Sequence, residues 1–410
     1  MIENVPSKKP VIVIALVMAV CLLGNEMLFI VLPLYWKFFG LTALWQVGVL
    51  LSVNRFIRIV INSLIAWFYR KVNTRMGILL AVVLAVISTF SYGYLKGIWF
   101  LLIARCLWGF SWSLFRLGGY LTIITYSSEK TRGEYVGLFN GLWGLGTLIG
   151  MLFGGILAEQ IGIQSVTTVF SIIGACSIPF VLMYIPKTKN KEEQMNEEKK
   201  KHQSIWKNKR IVLSLASGII IYFVIFGVFN STLSNLIGMQ IKENLLVFGL
   251  SLGAASLAGI FQAIRTGWEP FLAPLLGKWS DQKWERSKVL IFALLMASVC
   301  FFILPLKFST ILFIFFIFVF QLSITLLVTI SDSIATDVAT GKSQMTVLSL
   351  YTLSSDIGAA FGALIAFVMM DFLGISWLYW ITGLLLLILA FQWMRANKKL
   401  RIKKIYSMSK

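Results

Sequence analysis

Long apolar segments recur along the whole chain, and they constrain its fold more than any other feature. A transmembrane α-helix needs about 20 mostly apolar residues to cross a hydrocarbon layer of about 30 Å. Twelve segments of the 410-residue chain meet this requirement, and only 13% of the residues are charged. The sequence therefore predicts an all-α integral membrane protein with twelve transmembrane helices. We place the spans at 11–36, 45–69, 77–95, 98–122, 135–158, 163–185, 211–237, 245–276, 288–306, 310–331, 345–370 and 373–394.

The positive charges decide the orientation of these spans. The net charge of +20 would suit a nucleic-acid partner, but 28 of the 37 Lys and Arg residues fall in segments that are cytoplasmic if the amino terminus is inside. Cytoplasmic loops of membrane proteins carry this excess of Lys and Arg. The pattern predicts that both termini are cytoplasmic and requires no nucleic-acid partner. Compact loops and the lack of a targeting segment favour the cytoplasmic membrane of a bacterium.

One break in composition divides the chain. Residues 187–210 are strongly charged and poor in apolar residues, which is typical of a solvated linker. We therefore expect an amino-terminal half of six helices at 1–186, a cytoplasmic linker at 187–210, a second six-helix half at 211–394 and a basic cytoplasmic tail at 395–410.

The two predicted halves share a short sequence repeat. The fifth span contains IGMLFG at 149–154, and the eleventh span contains IGAAFG at 357–362, the corresponding place six spans later. Repeated halves are expected of secondary transporters. The alternative is that the glycine pairs merely allow helices to pack closely, and the two explanations are compatible.

The sequence lacks the residues that several classes of function require. The four cysteines lie far apart in apolar segments, and the single histidine, His202, lies in the charged linker. The sequence thus predicts no metal site, no disulfide framework and no histidine-dependent catalytic site. It also contains no GxxxxGK[ST] loop for ATP. We expect no catalytic residue and no cofactor, and we do not expect an enzyme.

Two motifs carry a family resemblance. In the fourth span, Arg105 and Gly109 resemble an RxxxG signature, and GKWSDQKWER after the eighth span matches a cytoplasmic loop motif at Gly277, Asp281 and Arg286. On these residues the chain resembles the major facilitator superfamily of transporters along essentially its whole length. The resemblance implies two six-helix halves, alternating access, and a loop motif that acts as a cytoplasmic gate.

The fifth span adds a resemblance to the antiporter branch of that family. Its sequence GTLIGMLFGG is similar to the branch's glycine motif, with Met151 in place of the usual proline. The equivalent of the loop motif after the second span is degraded, because Arg70 stands in the place of its acid. The subfamily and the cargo therefore remain open. We expect five glycines to serve helix packing: Gly109, Gly146, Gly150, Gly154 and Gly155.

Five arginines lie inside predicted spans, where each charge is costly. Arg105 and Arg116 are eleven positions apart, so they lie within about 20° of each other on the helix. A charge that faces lipid is costly, so we expect the helix face that carries Arg105 and Arg116 to point into the helix bundle. Snorkelling or bonding to backbone carbonyls is the alternative to an anion-binding cavity. The residues predicted to line a substrate cavity are Arg55, Arg58, Arg105, Trp112 and Arg116.

Two carboxylates are candidates for proton coupling. Glu26 lies near the middle of the first span, where it could either form a structural latch with Arg58 or Arg105 or carry a proton. Asp356 lies about eleven residues into the eleventh span and could instead form a packing hydrogen bond with Ser354 or Ser355. Asp332, at the end of the tenth span, is expected to meet water, and we assign it no transport role.

These observations leave three functions. The first is proton-coupled export of a small amphipathic drug or metabolite, as the fifth-span motif and Glu26 suggest. The second is a carrier of an anionic solute, such as an organic acid, a siderophore or a lipid head group, as the arginines suggest. The third is a receptor or scaffold on the same fold, which would not need midplane charges. The expected partners are a small molecule, protons and lipid, and we expect a monomer.

Overall fold

The described chain is almost entirely helical, because a helix satisfies its backbone hydrogen bonds within one segment of a membrane. This confirms the all-α prediction. The structure is a computed structural model that describes residues 8–128, 131–185, 187, 208–241, 245–247, 250–282, 285–339 and 344–408. Most of the predicted linker 187–210 lies outside these residues.

Among the residues that the structure describes, seven helices make up the first part of the chain. Gly97 and Gly162, whose φ angles are 89° and 83°, stand immediately before the fourth and sixth of them, in a region that favours glycine. Asn73 caps the third, since its side chain accepts a 2.9 Å hydrogen bond from the Met76 amide. The helices are α1 (Lys9–Leu34), α2 (Leu44–Lys71), α3 (Thr74–Tyr94), α4 (Ile98–Tyr126), α5 (Arg132–Ile161), α6 (Ile163–Ala175) and α7 (Ile178–Tyr184).

The second part of the chain contains a π-helical turn and the only strand pair among the described residues. The π-helix (Phe223–Phe229) joins α8 (Lys209–Tyr222) directly to α9 (Asn230–Gln240). Strands β1 (Leu245–Val247) and β2 (Leu250–Leu252) pair antiparallel. The remaining helices are α10 (Ala254–Gln282), α11 (Arg286–Ile303), α12 (Thr310–Val338), α13 (Gln344–Leu373) and α14 (Ile375–Met408).

Eleven helical segments within the described ranges are long and apolar enough to cross a membrane. Two of them are composite, because α6 and α7 form one span and α8, the π-helix and α9 form another. The predicted eighth span corresponds to α10, which is long enough but carries Arg265 and Glu269 in its middle.

The structure moves some predicted boundaries. The eighth span was predicted from residue 245, whereas 245–252 contains the two strands and the helix begins at Ala254. The last helix continues to Met408, so the predicted basic tail is helical over most of its length. Helix α8 begins at Lys209, inside the predicted linker, because the Asn208 side chain accepts from the Arg210 amide at 3.0 Å and caps the helix.

The chain divides into two compact units. In unit 1, α1 is the most enclosed helix and packs along α5, while α4 packs on α2 and α3. In unit 2, α13 packs on α8 and the π-helix, and α11 packs on α12 and α14. Unit 1 comprises Met1–Lys200, Leu233–Ile237 and Glu243–Thr266, and unit 2 comprises Lys201–Thr232, Gly238–Lys242 and Gly267–Lys410.

Large apolar side chains are exposed along the helices. Ile311 is 81% exposed, Phe372 is 80% exposed and Trp99 is 76% exposed. Water would disfavour so much apolar surface, whereas lipid tails match it. The exposed residues therefore support the membrane assignment, and the polar residues inside the units become the candidates for function.

Candidate functional site

The polar centre of unit 1 begins with two consecutive residues of α1. Asn25 and Glu26 are both buried within a helix that is otherwise almost wholly apolar. The Asn25 Nδ2 donates a 2.9 Å hydrogen bond to the Glu26 Oε1. Among the described residues, no Arg or Lys nitrogen lies within ion-pair distance of the Glu26 carboxylate. A single amide donor therefore binds this buried acid directly.

Arg105 connects three helices around this centre. Its Nη1 donates to the Asn25 Oδ1 of α1 at 2.6 Å, and its Nε donates to the Leu50 carbonyl of α2 at 2.8 Å. Only 1% of Arg105 is exposed. Both acceptors are neutral oxygens, and the two hydrogen bonds hold α1, α2 and α4 together. This is the backbone-carbonyl alternative considered for the arginines.

Two arginines of α2 are half-buried close to the same carboxylate. Arg55 and Arg58 both attract the Glu26 carboxylate electrostatically. The Arg58 guanidinium lies 5.5 Å from the centre of the Trp112 ring, within the range of a cation–π interaction. Trp112 in turn meets Trp143 edge to face, with ring centres 5.4 Å apart. An arginine and two indoles of α2, α4 and α5 thus form an aromatic, cationic surface.

Arg116 stands apart from the other predicted cavity residues. It is half-buried on α4, and the structure gives it no hydrogen bond or ion pair with the residues it describes. Gly109 of the same helix lies against α2, where a Cβ would collide with Ile57 and with the Asn54 carbonyl. Helix α4 therefore packs closely on α2 at Gly109.

The glycines of α5 lie against α1. A Cβ at Gly150 would come within 2.9 Å of the Glu26 Cβ, and one at Gly154 within 2.6 Å of the Met27 Cβ. A Cβ at Gly146 would overlap the Ala19 carbonyl of the same helix. Gly155 instead faces the Ala255 carbonyl of α10. These residues let α5 approach the backbone of α1 next to the Glu26 centre.

A carboxylate at the end of α5 caps another helix of unit 1. The Glu159 oxygens accept from the backbone amides of Gly253 and Ala255, each at 2.8 Å, and from the Ser256 hydroxyl. A negative group at a helix N-terminus accepts hydrogen bonds from the unpaired amides and interacts favourably with the positive end of the helix dipole. The Glu159 cap explains why α10 begins at Ala254. No sequence pattern pointed to it, because capping and capped residues are about 95 positions apart.

The second predicted coupling residue, Asp356, lies half-buried on α13. The nearby Ser355 hydroxyl donates to the Tyr351 carbonyl of its own helix at 2.9 Å. Asp356 takes part in polar interactions, so its carboxylate is not isolated. The structure therefore keeps both the coupling role and the packing role of Asp356 open.

A different carboxylate forms the polar centre of unit 2. The Asp332 Oδ1 accepts from the Tyr351 hydroxyl at 2.8 Å and more weakly from the Tyr222 hydroxyl at 3.4 Å. We expected water to reach Asp332 at the end of its span. The residue is half-buried, and the sequence did not predict the two tyrosines from α8 and α13 that bind its carboxylate. Residues on three helices make this centre, and their sequence spacing carries no signal of it.

The predicted cytoplasmic gate motif is described only in part. Its Arg286 forms a 2.8 Å ion pair with Asp337 and donates to the Ser333 carbonyl at 3.0 Å, which ties α11 to the end of α12. Gly277 and Asp281 lie in α10, but their side chains lie outside the described part of the chain. For metal binding, the described residues contain no group of three His, Cys, Asp or Glu side chains.

One known protein family matches nearly the whole length of the chain. The family model for the Major Facilitator Superfamily matches residues 14–268 and 270–405. Among solved structures, a bacterial homologue of the human lysosomal transporter Spinster, in an inward-facing and unoccupied conformation, has a TM-score of 0.76 at 16% identity and covers 97% of this chain and 98% of its own. The nucleoside transporter NupG has a TM-score of 0.74 at 13% identity, with coverage of 95% and 99%. At these identities the likeness shows the fold alone.

Sequence relatives match over short stretches. The human synaptic vesicular amine transporter is 27% identical over 118 residues, which is 28% of this chain and 23% of the relative. Citrate exporter 1 of Aspergillus niger is 39% identical over 70 residues, which is 17% of this chain and 13% of the relative. The matched stretches thus span less than a quarter of either relative.

Proposed function

The chain belongs to the Major Facilitator Superfamily, a family of transporters, and from this premise we propose that it exports a small amphipathic molecule in exchange for protons. The transport occurs by alternating access, driven by the proton gradient rather than by ATP. Membership of a transporter family supports the general part of this function. The direction, the coupling ion and the kind of cargo are proposals that rest on the polar centres described above.

The observation that carries the proposal is the setting of Glu26. Its carboxylate is buried, receives one amide hydrogen bond and has no direct ion pair among the described residues. The carboxylate is buried in α1, and the charges of Arg55, Arg58 and Arg105 attract it. A buried acid within a membrane span is a candidate for gaining and losing a proton during a transport cycle. We propose the same proton-coupling role for Asp356 in unit 2.

The cargo surface is formed by Arg58 and the two indoles. Trp112 and Trp143 offer apolar faces, and Arg58 adds a charge that lies against one of them. A molecule with an apolar body and a polar group fits such a surface better than a small inorganic ion does. Export is supported by the glycines of α5, because their motif resembles that of the antiporter branch.

A carrier of an anionic solute is the second candidate. Unit 1 holds Arg55, Arg58, Arg105 and Arg116 within helices, and Glu26 attracts the first three electrostatically. Arg105 is occupied by neutral acceptors, which leaves its positive charge uncompensated. A carboxylate or phosphate group on the cargo would supply the missing negative charge.

The proposed setting is the cytoplasmic membrane of a bacterium, with both termini in the cytoplasm. The distribution of Lys and Arg supports this orientation. The proposed working unit is a monomer, which is the usual way such two-unit chains carry a complete transport path.

A thermal-shift panel on the full chain in detergent separates the two candidates. Ethidium represents amphipathic cations and citrate represents anions, and each is tested on the parent protein and on Arg58→Ala. A ligand at about 100 times its Kd stabilises the fold by about 2.7 kcal/mol. Stabilisation by ethidium supports the first candidate, and stabilisation by citrate that disappears in Arg58→Ala supports the second.

A flux measurement in proteoliposomes tests the coupling. We expect Glu26→Gln to abolish transport that depends on a pH gradient. The matched control is Glu134→Gln, the same chemical change at an exposed site, which should keep transport. Full gradient-driven flux in Glu26→Gln would contradict the role of Glu26.

A further inference from the structure

The polar centre of unit 2 is built around Asp332 and differs from every acid assigned above. Two side chains bind it directly: Tyr351 donates to its Oδ1 at 2.8 Å, and Tyr222 donates to the same oxygen at 3.4 Å. A third, Ser331, lies 2.7 Å from the Tyr351 hydroxyl. The residues come from α12, α13 and α8. A carboxylate, a phenol and an alcohol therefore form a continuous hydrogen-bonded row.

The surrounding packing holds the two phenols in place. Gly218 of α8 faces the Tyr351 ring, and a Cβ there would lie 2.7 Å from the ring edge. Tyr222 stacks on Phe226 of the π-helix with ring centres 5.0 Å apart, and it meets Tyr351 edge to face at 6.5 Å. The hydroxyls can rotate about their C–O bonds while the rings stay fixed. The row is therefore rigid in position and adjustable in the direction of its hydrogen bonds.

The charges around Asp332 do not neutralise it directly. Within the described ranges no Arg or Lys nitrogen lies within ion-pair distance of its carboxylate, and the donors it has are neutral. Glu269 of α10 interacts with it electrostatically and carries the same charge. Arg286 of α11 is bound to Asp337 and to the Ser333 carbonyl, farther along α12. A carboxylate so placed needs a cation or a proton in part of its working cycle.

We propose that Asp332 is a proton-binding carboxylate of unit 2, with Tyr351 and Ser331 as its relay. When a hydronium ion gives its proton to the carboxylate and becomes water, the acid O–H donates to the Tyr351 oxygen, and the Tyr351 hydroxyl turns to donate to Ser331. When the proton returns to a water molecule, Tyr351 turns back and donates to the carboxylate again. No other reactant is needed. The inference rests on the proposed function, because it supplies a second site for proton coupling.

Infrared titration of the full chain in detergent tests the site without any cargo. We expect the carboxylic-acid carbonyl band, which grows as the pH falls, to lose one component in Asp332→Asn and to keep that component in the matched control Asp371→Asn, the same change at an exposed site of α13. Tyr351→Phe removes one hydroxyl and retains the ring, so it should shift both the frequency of that component and the pH at which it appears. Identical titrations of the parent and Asp332→Asn would overturn the proposal.

A comparison of salts tests whether a cation other than a proton binds at the Asp332 site. Thermal midpoints are compared in NaCl, KCl and tetramethylammonium chloride at equal ionic strength. No difference between the salts supports a proton site. A rise in NaCl that Asp332→Asn removes would replace the proposal with a sodium site, and a rise in tetramethylammonium that it removes would replace it with an organic ammonium site.

Flux measurements separate this inference from the proposed function. If no probe moves in response to a pH gradient and the infrared component is still lost in Asp332→Asn, the proton site stands and the proposed export is wrong. If the gradient drives a probe equally well in Asp332→Asn and in the parent protein, the relay has no role in transport and the inference fails.

Discussion

Each unit contains a pair of helices whose backbones come close through glycines, and the two pairs can be compared directly. In unit 1, Gly150 and Gly154 of α5 face Leu23, Glu26 and Met27 of α1. In unit 2, Gly358 and Gly362 of α13 face the carbonyls of Ile219 in α8 and Phe223 in the π-helix. These glycines are the ones in IGMLFG and IGAAFG. The same pair of glycines therefore performs the same packing in both units.

The polar groups beside these helix pairs differ in sign. In unit 1 a buried guanidinium, Arg105, is bound by the neutral oxygens of Asn25 and Leu50. In unit 2 a carboxylate, Asp332, is bound by the neutral hydroxyls of Tyr222 and Tyr351. The comparison teaches that the repeat concerns backbone packing, while each unit has its own electrostatics.

Removal of Arg105 should have the largest effect on stability. Arg105→Met leaves the Asn25 oxygen and the Leu50 carbonyl without their charged donor, so we expect a loss of about 3 kcal/mol in the free energy of unfolding. Thermal unfolding in detergent measures it. The control Arg116→Met removes the same charge from a residue without such bonds and should change stability by less than about 0.5 kcal/mol. Equal losses would mean that charge, rather than bonding, stabilises unit 1.

Glycine substitutions test whether the two helix pairs are equivalent. Gly150→Ala and Gly358→Ala each place a Cβ against a neighbouring helix, and each should destabilise the chain by about 2 kcal/mol. Gly144→Ala in α5 meets no atom within 4 Å and should be neutral or slightly stabilising. A harmless Gly358→Ala together with a harmful Gly150→Ala would break the equivalence.

Loss of the Glu159 cap should lower the free energy of unfolding less than the Arg105 or glycine substitutions do. Glu159→Gln keeps one oxygen acceptor where the carboxylate has two, so α10 loses part of its N-terminal cap, and we expect a loss of about 1 kcal/mol. The matching change in unit 2 is Asp337→Asn, which weakens an ion pair whose acid is 55% exposed. That change should cost less than about 0.5 kcal/mol. A larger effect in unit 2 would reverse the expected order.

The smallest effect is expected at the exposed pair of Lys8 and Glu134, which are 2.5 Å apart. The hydrogen bond and charge of Glu134 raise the pKa of Lys8 above its ordinary value. Any stabilisation is therefore present below the ordinary lysine pKa and is lost as the pH rises through the raised one. We expect Lys8→Met and the parent protein to have equal thermal midpoints when they are compared at about pH 8, and again when they are compared at about pH 11. A midpoint lowered only at about pH 8 would show that the pair matters.

The sequence predicted an all-α membrane fold, because span length and apolar content are local properties. It predicted twelve spans, whereas eleven helical segments of the described residues meet the criteria for a span. It also singled out Glu26 and Arg105, since a charge inside an apolar segment is conspicuous wherever it occurs. It did not predict that Asn25 and the Leu50 carbonyl join them. A backbone carbonyl has no sequence signature, and the partner of a buried charge depends on which helices become neighbours.

The partners of Asp332 were missed for a related reason. Its place at the end of the span suggested water, and the hydroxyls that bind its carboxylate come from Tyr222 and Tyr351, which lie on two other helices. Tyrosines in apolar segments are common and signal nothing alone. Only the packing of α8 and α13 on α12 turns them into ligands of this acid.

The π-helix has a consequence for how this chain is compared with others. A π-helical turn holds more residues than an α-helical turn, and each additional residue rotates the next part of the helix by about 100°. Tyr222 before the turn reaches Asp332, whereas Thr232 after it reaches Tyr379 at 3.1 Å. A relative with a regular helix here would need a one-residue gap in its alignment at Phe223–Phe229. Without that gap, positions of equal number would face different neighbours, and their chemistry would be equated in error.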